Sequence, residues 1–297
     1  MVREAGMNST AERDELIATL RWQVDAGVDE VILDSAVDRF AEVAKAVAIP
    51  PAVPSENTSV PTAPAAPTAA HAESSRTVPP LAAADSVNQD ARIQAAACAD
   101  LPALHKALSA FEGCPLKTTA TNLVFGTGSP TADLMLIGEP PGRDEDRQGE
   151  PFAGPGGQLL DAMLSFVDLD RATNVYATNI LPWRPPGDRQ PTSAETAACL
   201  PFLEHHIALV APRVLVFLGG TSAKTLLNQN EGIARLRGKW HDYNSPALEA
   251  AGLPPIPAIA SLHPTSLLRQ SAQKRVAWLD LLAVREKLDN LNATRED

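Results

Sequence analysis

The chain has 297 residues, of which 44% are hydrophobic and 21% charged, and a formal net charge of −11. This length can hold one or two domains. We expect no signal peptide and no membrane span, because no apolar run approaches the roughly 18 residues that cross a bilayer. The chain has three cysteines (Cys98, Cys114 and Cys199), an odd number without the spacing of a disulfide framework. This pattern predicts that the protein resides in a reducing cytoplasm.

The negative charge is unevenly distributed along the chain. Residues 1–100 carry 7 Lys and Arg against 15 Asp and Glu, and residues 101–170 carry 4 against 10. Residues 171–287 carry 13 against 8 and are therefore net positive. A positive half is compatible with contact to nucleic-acid phosphates, although ordinary scatter of surface charge explains it equally well.

The first 91 residues differ in composition from the rest. Residues 1–47 predict a short helical extension, in which Ser9 and Glu12 resemble a capping box and Ile17, Leu20 and Val24 share one helix face. Such small helices either dock on the main domain or bind a protein partner, and the sequence leaves both open. Residues 48–91 hold eight prolines among many Ala, Ser and Thr, which predicts a disordered linker.

Strand and helix patterns alternate from residue 92 to residue 297. Strands are predicted at 134–138, 175–181, 214–218 and 256–262. Helices are predicted at 92–111, 157–167, 193–210, 221–228 and 272–288. Alternation of this kind predicts an α/β fold with a mostly parallel central sheet and helices on both faces.

Two loops that follow predicted strands carry the most chemical information. The apolar run Leu134–Ile137 ends in the acidic loop Gly138–Asp146, where Gly and Pro residues break the strand and four carboxylates follow. The run Ile256–Leu262 ends in His263 and Pro264. Open α/β sheets bind their ligands at the carboxyl ends of the strands. An acidic loop and a histidine loop at that edge indicate a hydrolytic site.

These loops resemble motifs of the uracil-DNA glycosylases, specifically family 4. The resemblance covers roughly residues 93–288 and rests on five segments in the family's order. They are Gly138-Glu-Pro-Pro-Gly142 with Glu145 and Asp146, Gly149-Glu-Pro-Phe-Ala-Gly154 with Gly157-Gln-Leu-Leu160, Thr178-Asn-Ile180 with Arg184 to Pro191, Leu236-Arg-Gly-Lys-Trp240, and His263-Pro264 with Leu267-Leu-Arg269. The resemblance implies a uracil-DNA glycosylase-like catalytic domain over residues 92–297 that removes uracil from DNA in base-excision repair.

Three residues suit the recognition of a uracil that has been flipped out of the DNA stack. Asn179 offers a donor and an acceptor side by side, which complement O4 and N3–H of uracil and mismatch cytosine. Phe152 can stack on the base, and His263 can donate to O2 as negative charge grows there. Each could instead have a purely structural role: Asn179 could cap a strand, Phe152 could pack in the core and His263 could stabilise the fold.

The acidic loop and the last motif receive further roles from the resemblance. Glu145 is assigned to positioning water and supporting a positively charged sugar, whereas Glu139 shapes the substrate pocket. Asp144 and Asp146 are expected to do no more than solvate the loop. Leu267, Leu268 and Arg269 are expected to enter the DNA minor groove and fill the gap left by the flipped base. The competing interpretation buries the leucines in a helix turn.

The sequence departs from family 4 at the metal ligands. The family carries a four-iron, four-sulfur cluster on four cysteines, and the corresponding positions here are Phe111, Cys114, Trp183 and Cys199. Two cysteines are too few for such a cluster, and two aromatic rings would fill its space. We therefore expect no cofactor and no metal, with a retained 4Fe-4S cluster as the alternative.

A second departure from the family pattern leaves open which damaged bases the pocket accepts. Pro140 stands where family members usually carry a small residue, and it stiffens the loop beside the base. The alternatives to a uracil-DNA glycosylase are a catalytically weak protein that binds damaged DNA and a glycosylase for another deaminated base such as hypoxanthine. In each case we expect a cytoplasmic, nucleoid-associated monomer whose partner is DNA containing uracil or a related lesion.

Overall fold

The computed structural model describes residues 81–296. The helical extension predicted for residues 1–47 and most of the predicted linker lie outside the described residues. Within the described residues, no helix is long and apolar enough to cross a membrane.

Six strands form one sheet in the order β1-β3-β2-β4-β6-β5. They are β1 Thr127–Gly128, β2 Leu134–Gly138, β3 Val175–Asn179, β4 Val214–Leu218, β5 Trp240–Tyr243 and β6 Ile256–Ser261. The four central strands are parallel, and each edge strand is antiparallel to its neighbour. The predicted α/β fold with a mostly parallel sheet is confirmed.

The helices of the described residues lie between and around these strands. They are α1 Leu81–Ala96, α2 Leu101–Ala110, α3 Arg143–Gln148, α4 Pro155–Ser165, α5 Ser193–Val210, α6 Gly220–Leu226, α7 Ile233–Leu236, α8 Pro246–Ala250, α9 Pro264–Arg269 and α10 Lys274–Glu296. Short 3₁₀ turns occupy Pro115–Thr118, Pro186–Asp188 and Ser271–Gln273.

Helices cover both faces of the sheet, and the central strands β2, β3 and β4 are buried at every position. In β2, Met135 and Ile137 join a core that includes residues of α1, α2 and α5. Leu134 and Leu136 point to the other face, where residues of α4 and α10 cover them. Strands buried on both faces read as continuous apolar runs, which is why the sequence located them well.

Two differences from the predicted elements concern the start of the domain and the sheet edges. Helix α1 begins at Leu81, so residues 81–91 are helical and the predicted boundary at residue 92 falls inside a helix. The single helix predicted at 92–111 is two helices, because Asp100 caps α2 by accepting a hydrogen bond from the amide of Ala103 (2.8 Å). The edge strands β1 and β5 were not predicted, since they are short and largely exposed.

Candidate active site

The predicted site residues converge at the carboxyl edge of the sheet. Gly138 at the end of β2 is in register with Asn179 at the end of β3, so Glu139 leaves the sheet beside Asn179. On the other side, Ser261 ends β6 and His263 follows two residues later. These strand ends surround a cavity of about 420 Å³. Its lining includes all five residues predicted to bind or act on the base: Glu139, Glu145, Phe152, Asn179 and His263.

Asn179 is buried with most of its hydrogen-bonding capacity unused. Its Nδ2 donates to the backbone carbonyl of Glu139 (2.5 Å), which fixes the plane of the carboxamide. Its Oδ1 is buried and has no hydrogen-bond partner within the described residues. Leaving a buried acceptor unpaired costs on the order of 1–3 kcal/mol, so Oδ1 would gain a hydrogen bond from a donor that reaches it.

Phe152 is held in a backbone conformation that a bulky residue rarely adopts. It is buried at a φ of 54°, in the left-handed region. Its ring lies against the end of β2, where a Cβ at Gly138 would come within 2.7 Å of the ring. Arg171 stabilises this segment by donating to the carbonyl of Pro151 (3.0 Å). Its guanidinium also donates two hydrogen bonds to the carboxylate of Asp161 (2.6 and 2.7 Å). Strained residues held by their surroundings cluster at functional sites.

His263 presents a neutral imidazole to the cavity. It is the N-terminal cap of α9, and its Nδ1 accepts from the amide of Thr265 (3.3 Å), so the ring proton is on Nε2. Burial lowers the pKa of His263, although the carboxylates of Glu139 and Glu145 oppose that shift. The imidazole is stacked nearly parallel to the Phe152 ring, with a centroid distance of 5.7 Å and an angle of 18°. The side chain is therefore oriented as a neutral donor.

The two assigned carboxylates are held in different ways. Glu145 is the third residue of α3, and its Oε2 accepts from the amide of Gly142 (3.1 Å), the residue that precedes the helix. Glu139 turns toward the start of α6, where its Oε1 accepts from the amide and hydroxyl of Thr221 (3.3 and 3.4 Å). Gly219, at a φ of 112°, is in close contact with this side chain, and a Cβ there would come within 2.4 Å of it.

The other two carboxylates of the acidic loop are not equivalent. Asp144 lines the cavity and is paired with Arg147 (3.0 Å). Asp146 is buried and accepts from the amide and hydroxyl of Thr121 (2.7 and 3.0 Å). The expectation that Asp146 only solvates the loop is therefore wrong, because its carboxylate anchors the segment that precedes β1.

The predicted DNA wedge divides into buried and exposed parts. Leu267 is 1% exposed and packs with Leu262 and Ala277. Leu268 is 47% exposed, and Arg269 beside it is also exposed; both line the mouth of the cavity. The prediction is corrected for Leu267, whose side chain contributes to the core because successive residues of a helix turn face different directions.

Several residues that line the cavity or hold its lining in place were missed by the sequence analysis. Thr221 follows the glycine pair at the end of β4, a strand whose carboxyl end was predicted to lie at the same edge, so its position was available as a signal. The Oε1 of Gln190 accepts a hydrogen bond from the Thr221 hydroxyl (3.2 Å). Arg189 makes a two-pronged ion pair with the buried Glu195 (2.6 and 2.9 Å), which lowers the pKa of that carboxyl. This pair fixes the proline-rich loop that closes the cavity.

The four positions that correspond to cluster ligands lie away from the cavity lining, in the core. Phe111, Cys114, Trp183 and Cys199 are each at most 3% exposed and belong to one hydrophobic core; we call them the aromatic–thiol cluster. The Cys199 thiol donates to the Cys114 sulfur, and this bond together with burial raises the pKa of Cys199. Within residues 81–296 no group of three or more His, Cys, Asp or Glu side chains could hold a metal ion. Two thiols and two apolar rings do not fit a four-iron cluster.

Comparisons with known proteins agree with this geometry. The family model described as the uracil DNA glycosylase superfamily matches residues 125–282. A type-4 uracil-DNA glycosylase of Archaeoglobus fulgidus is 38% identical over 159 residues, which cover 52% of this chain and 76% of that protein. A type-4 uracil-DNA glycosylase of Pyrobaculum aerophilum is 34% identical over 186 residues, 61% of this chain and 91% of that protein. The chain belongs to the uracil-DNA glycosylase superfamily.

Proposed function

We propose that the protein is a uracil-DNA glycosylase that hydrolyses the bond between uracil and deoxyribose in DNA. The observation that carries the proposal is the pairing of a buried, unused Asn179 Oδ1 with a fixed Nδ2 in a cavity at the sheet edge. Uracil presents N3–H and O4 as adjacent donor and acceptor. Oδ1 accepts from N3–H, and the second hydrogen of Nδ2 donates to O4.

The same edge rejects cytosine on chemical grounds. Cytosine carries an acceptor at N3 and an amino group at position 4, so the carboxamide in this orientation faces acceptor with acceptor and donor with donor. The carboxamide cannot simply rotate, because Nδ2 is bound to the Glu139 carbonyl. A mismatch that leaves buried polar groups unpaired discriminates by orders of magnitude in kcat/KM.

Bond cleavage follows from the groups around the base. The C1′–N1 bond breaks with its electron pair going to uracil, whose developing negative charge at O2 receives a hydrogen bond from His263 Nε2–H. A neutral imidazole suits this role, because burial lowers the pKa of His263 and the proton stays on Nε2 at neutral pH. A water molecule adds to C1′ and loses a proton, which leaves an abasic sugar and free uracil.

Carboxylates supply the complementary negative charge on the sugar side. Glu145 has one oxygen engaged with the Gly142 amide, which fixes the group and leaves its other oxygen to position water. Glu139 is anchored by Thr221 and adds negative charge near the developing sugar cation. No step requires the four-iron cluster, and we propose that the protein lacks one, since two of the four side chains in the aromatic–thiol cluster, Phe111 and Trp183, cannot ligate iron.

Cleavage assays on defined oligonucleotides test this proposal. Single- and double-stranded substrates carrying uracil, hypoxanthine, xanthine or thymine at one position are incubated with the protein, and strand scission is measured after alkali. We expect cleavage at uracil and none at thymine. Cleavage of hypoxanthine alone would redefine the substrate, since its N1–H and O6 present the same edge as uracil. Binding without any cleavage would leave a damaged-DNA binding protein.

A further inference from the structure

The charges that line the cavity are only partly neutralised by ion pairs. Seven charged side chains other than His263 line it: Glu139, Arg143, Asp144, Glu145, Asp188, Arg189 and Arg269. Three of them are paired, since Asp144 binds Arg147, Asp188 binds Arg184 and Arg189 binds Glu195. The remaining charges are the carboxylates of Glu139 and Glu145 and the guanidiniums of Arg143 and Arg269.

Arg143 is an exposed guanidinium without a partner. It is the first residue of α3, directly after Gly142, and no carboxylate of residues 81–296 lies within ion-pairing distance of it. Its side chain makes no hydrogen bond to the rest of the described chain, in contrast to Arg147 one turn later on the same helix. Its charge still acts on Asp188, whose pKa it lowers from beyond ion-pairing distance, although the hydrogen bond from Arg184 is the main cause of that shift.

We propose that Arg143 is a positioning residue that binds a DNA backbone phosphate next to the flipped nucleotide, together with Arg269. This inference rests on the proposed function. A nucleotide inserted into the cavity leaves phosphates at its mouth, where the carboxylates of Glu139 and Glu145 would repel them. Guanidiniums from α3 and α9 overcome that repulsion, and a guanidinium matches a phosphate through two parallel hydrogen bonds.

The unpaired state of Arg143 favours phosphate binding over a structural role. An arginine that stabilises a fold is engaged with carboxylates or carbonyls, as Arg171, Arg189 and Arg237 are in this chain. Apart from its long-range effect on Asp188, the guanidinium of Arg143 makes no hydrogen bond or ion pair with the described residues of the unliganded protein. It has no ion pair to break before it binds an anion, so the full interaction is available to DNA.

The salt dependence of activity tests this role. We would measure kcat and KM of wild type, Arg143→Gln and Arg147→Gln on a single-stranded uracil oligonucleotide between 50 and 300 mM KCl. Each lost phosphate contact on a single strand lowers the slope of log(1/KM) against log[salt] by about 0.7. We expect the slope for Arg143→Gln to be shallower than that of wild type by this amount. Its KM at low salt should be about tenfold higher, in line with the loss of a charge-assisted hydrogen bond. We expect kcat to be retained.

Arg147→Gln is the matched control, because it removes the same charge from the same exposed helix but from a side chain that does not line the cavity. Equal slopes and KM values for the two variants would overturn the inference. Arg143→Lys should keep the slope while losing part of the affinity. Fluorescence anisotropy with a uracil-free single strand over the same salt series tests Arg143 independently of cleavage, so an inactive wild type would count against the proposed function alone.

Discussion

The cavity and the aromatic–thiol cluster lie in one domain but differ in how far their side chains are satisfied by their neighbours. In the cavity, Asn179 Oδ1 is buried without a partner and Phe152 has a strained backbone. In the cluster, Phe111 and Trp183 are buried among apolar side chains, and the two thiols satisfy each other. The cavity therefore retains unused interactions for a ligand, whereas the aromatic–thiol cluster is packed as ordinary hydrophobic core. Substitutions should accordingly change activity in the first region and stability in the second.

The largest effect is expected from Trp183→Ala. Removing a buried indole leaves a void and should lower the free energy of unfolding by roughly 3–5 kcal/mol, measured by urea denaturation.

We also expect the wild-type protein to be colourless and insensitive to chelators and air. Iron and sulfide near four equivalents each in anaerobically purified protein would falsify the assignment of this region as core, and would require ligands other than the four positions considered.

Asn179→Ala should show the reverse pattern. Two hydrogen bonds to the base disappear in a desolvated site, so kcat/KM on uracil DNA should fall by about 100-fold or more. Unfolding stability should change little, because the removal of an unpaired buried acceptor offsets the loss of the Nδ2 hydrogen bond to the Glu139 carbonyl. Single-turnover cleavage and urea denaturation on the same preparation measure both quantities. A variant that cleaves at the parental rate would refute the base-reading role.

Acid should weaken the core face that holds the aromatic–thiol cluster. His206 is fully buried there, hydrogen-bonded to the Tyr176 hydroxyl (2.9 Å), and burial lowers its pKa to about 3. In the unfolded chain the pKa is about 6.5, so below that value the unfolded state binds a proton that the folded state refuses. Stability should be flat above pH 6.5 and fall as pH drops toward 3, by about 2 kcal/mol at pH 5.

The variant His206→Gln isolates this contribution, because glutamine does not titrate. The difference in unfolding free energy between wild type and variant, measured by urea denaturation from pH 4 to pH 8, should shrink as pH falls below 6.5. A difference that is independent of pH would show that His206 does not control the acid response.

The smallest effect is expected at the mouth of the cavity. Leu268 is about half exposed, so Leu268→Ala should leave stability within about 0.5 kcal/mol of wild type. Loss of an apolar wedge should reduce cleavage of double-stranded uracil DNA several-fold, while cleavage of single strands, where no gap needs filling, changes less. Equal reductions on both substrates would contradict a wedge role.

The sequence predicted the central sheet and the members of the cavity for a physical reason. Strands buried on both faces must be apolar throughout, so β2 and β4 were located with their observed bounds. The carboxyl ends of parallel strands converge at one edge of the sheet, which explains why the acidic loop and the His263 loop were expected at the same edge. These two inferences use local patterns, whereas Asn179 was selected mainly through the family resemblance.

Charge pairing and side-chain exposure could not be predicted in the same way. Leu267 and Leu268 are identical in type and adjacent in sequence, yet the turn of α9 buries one and exposes the other. Arg143 and Arg189 both line the cavity, but Glu195 holds only Arg189. Which neighbour faces a side chain is set by how elements pack.

The sequence by itself determined the fold class and the edge at which the site forms, and its resemblance to family 4 predicted that Phe111 and Trp183 replace two cluster cysteines. Only the tertiary structure decided that Asp146 is an anchor, that Asn179 retains a free buried acceptor and that Arg143 is unpaired. The reason is the range of the interactions. Periodicity and turn chemistry act over a few residues, whereas hydrogen bonds and ion pairs join residues that the chain brings together from far apart.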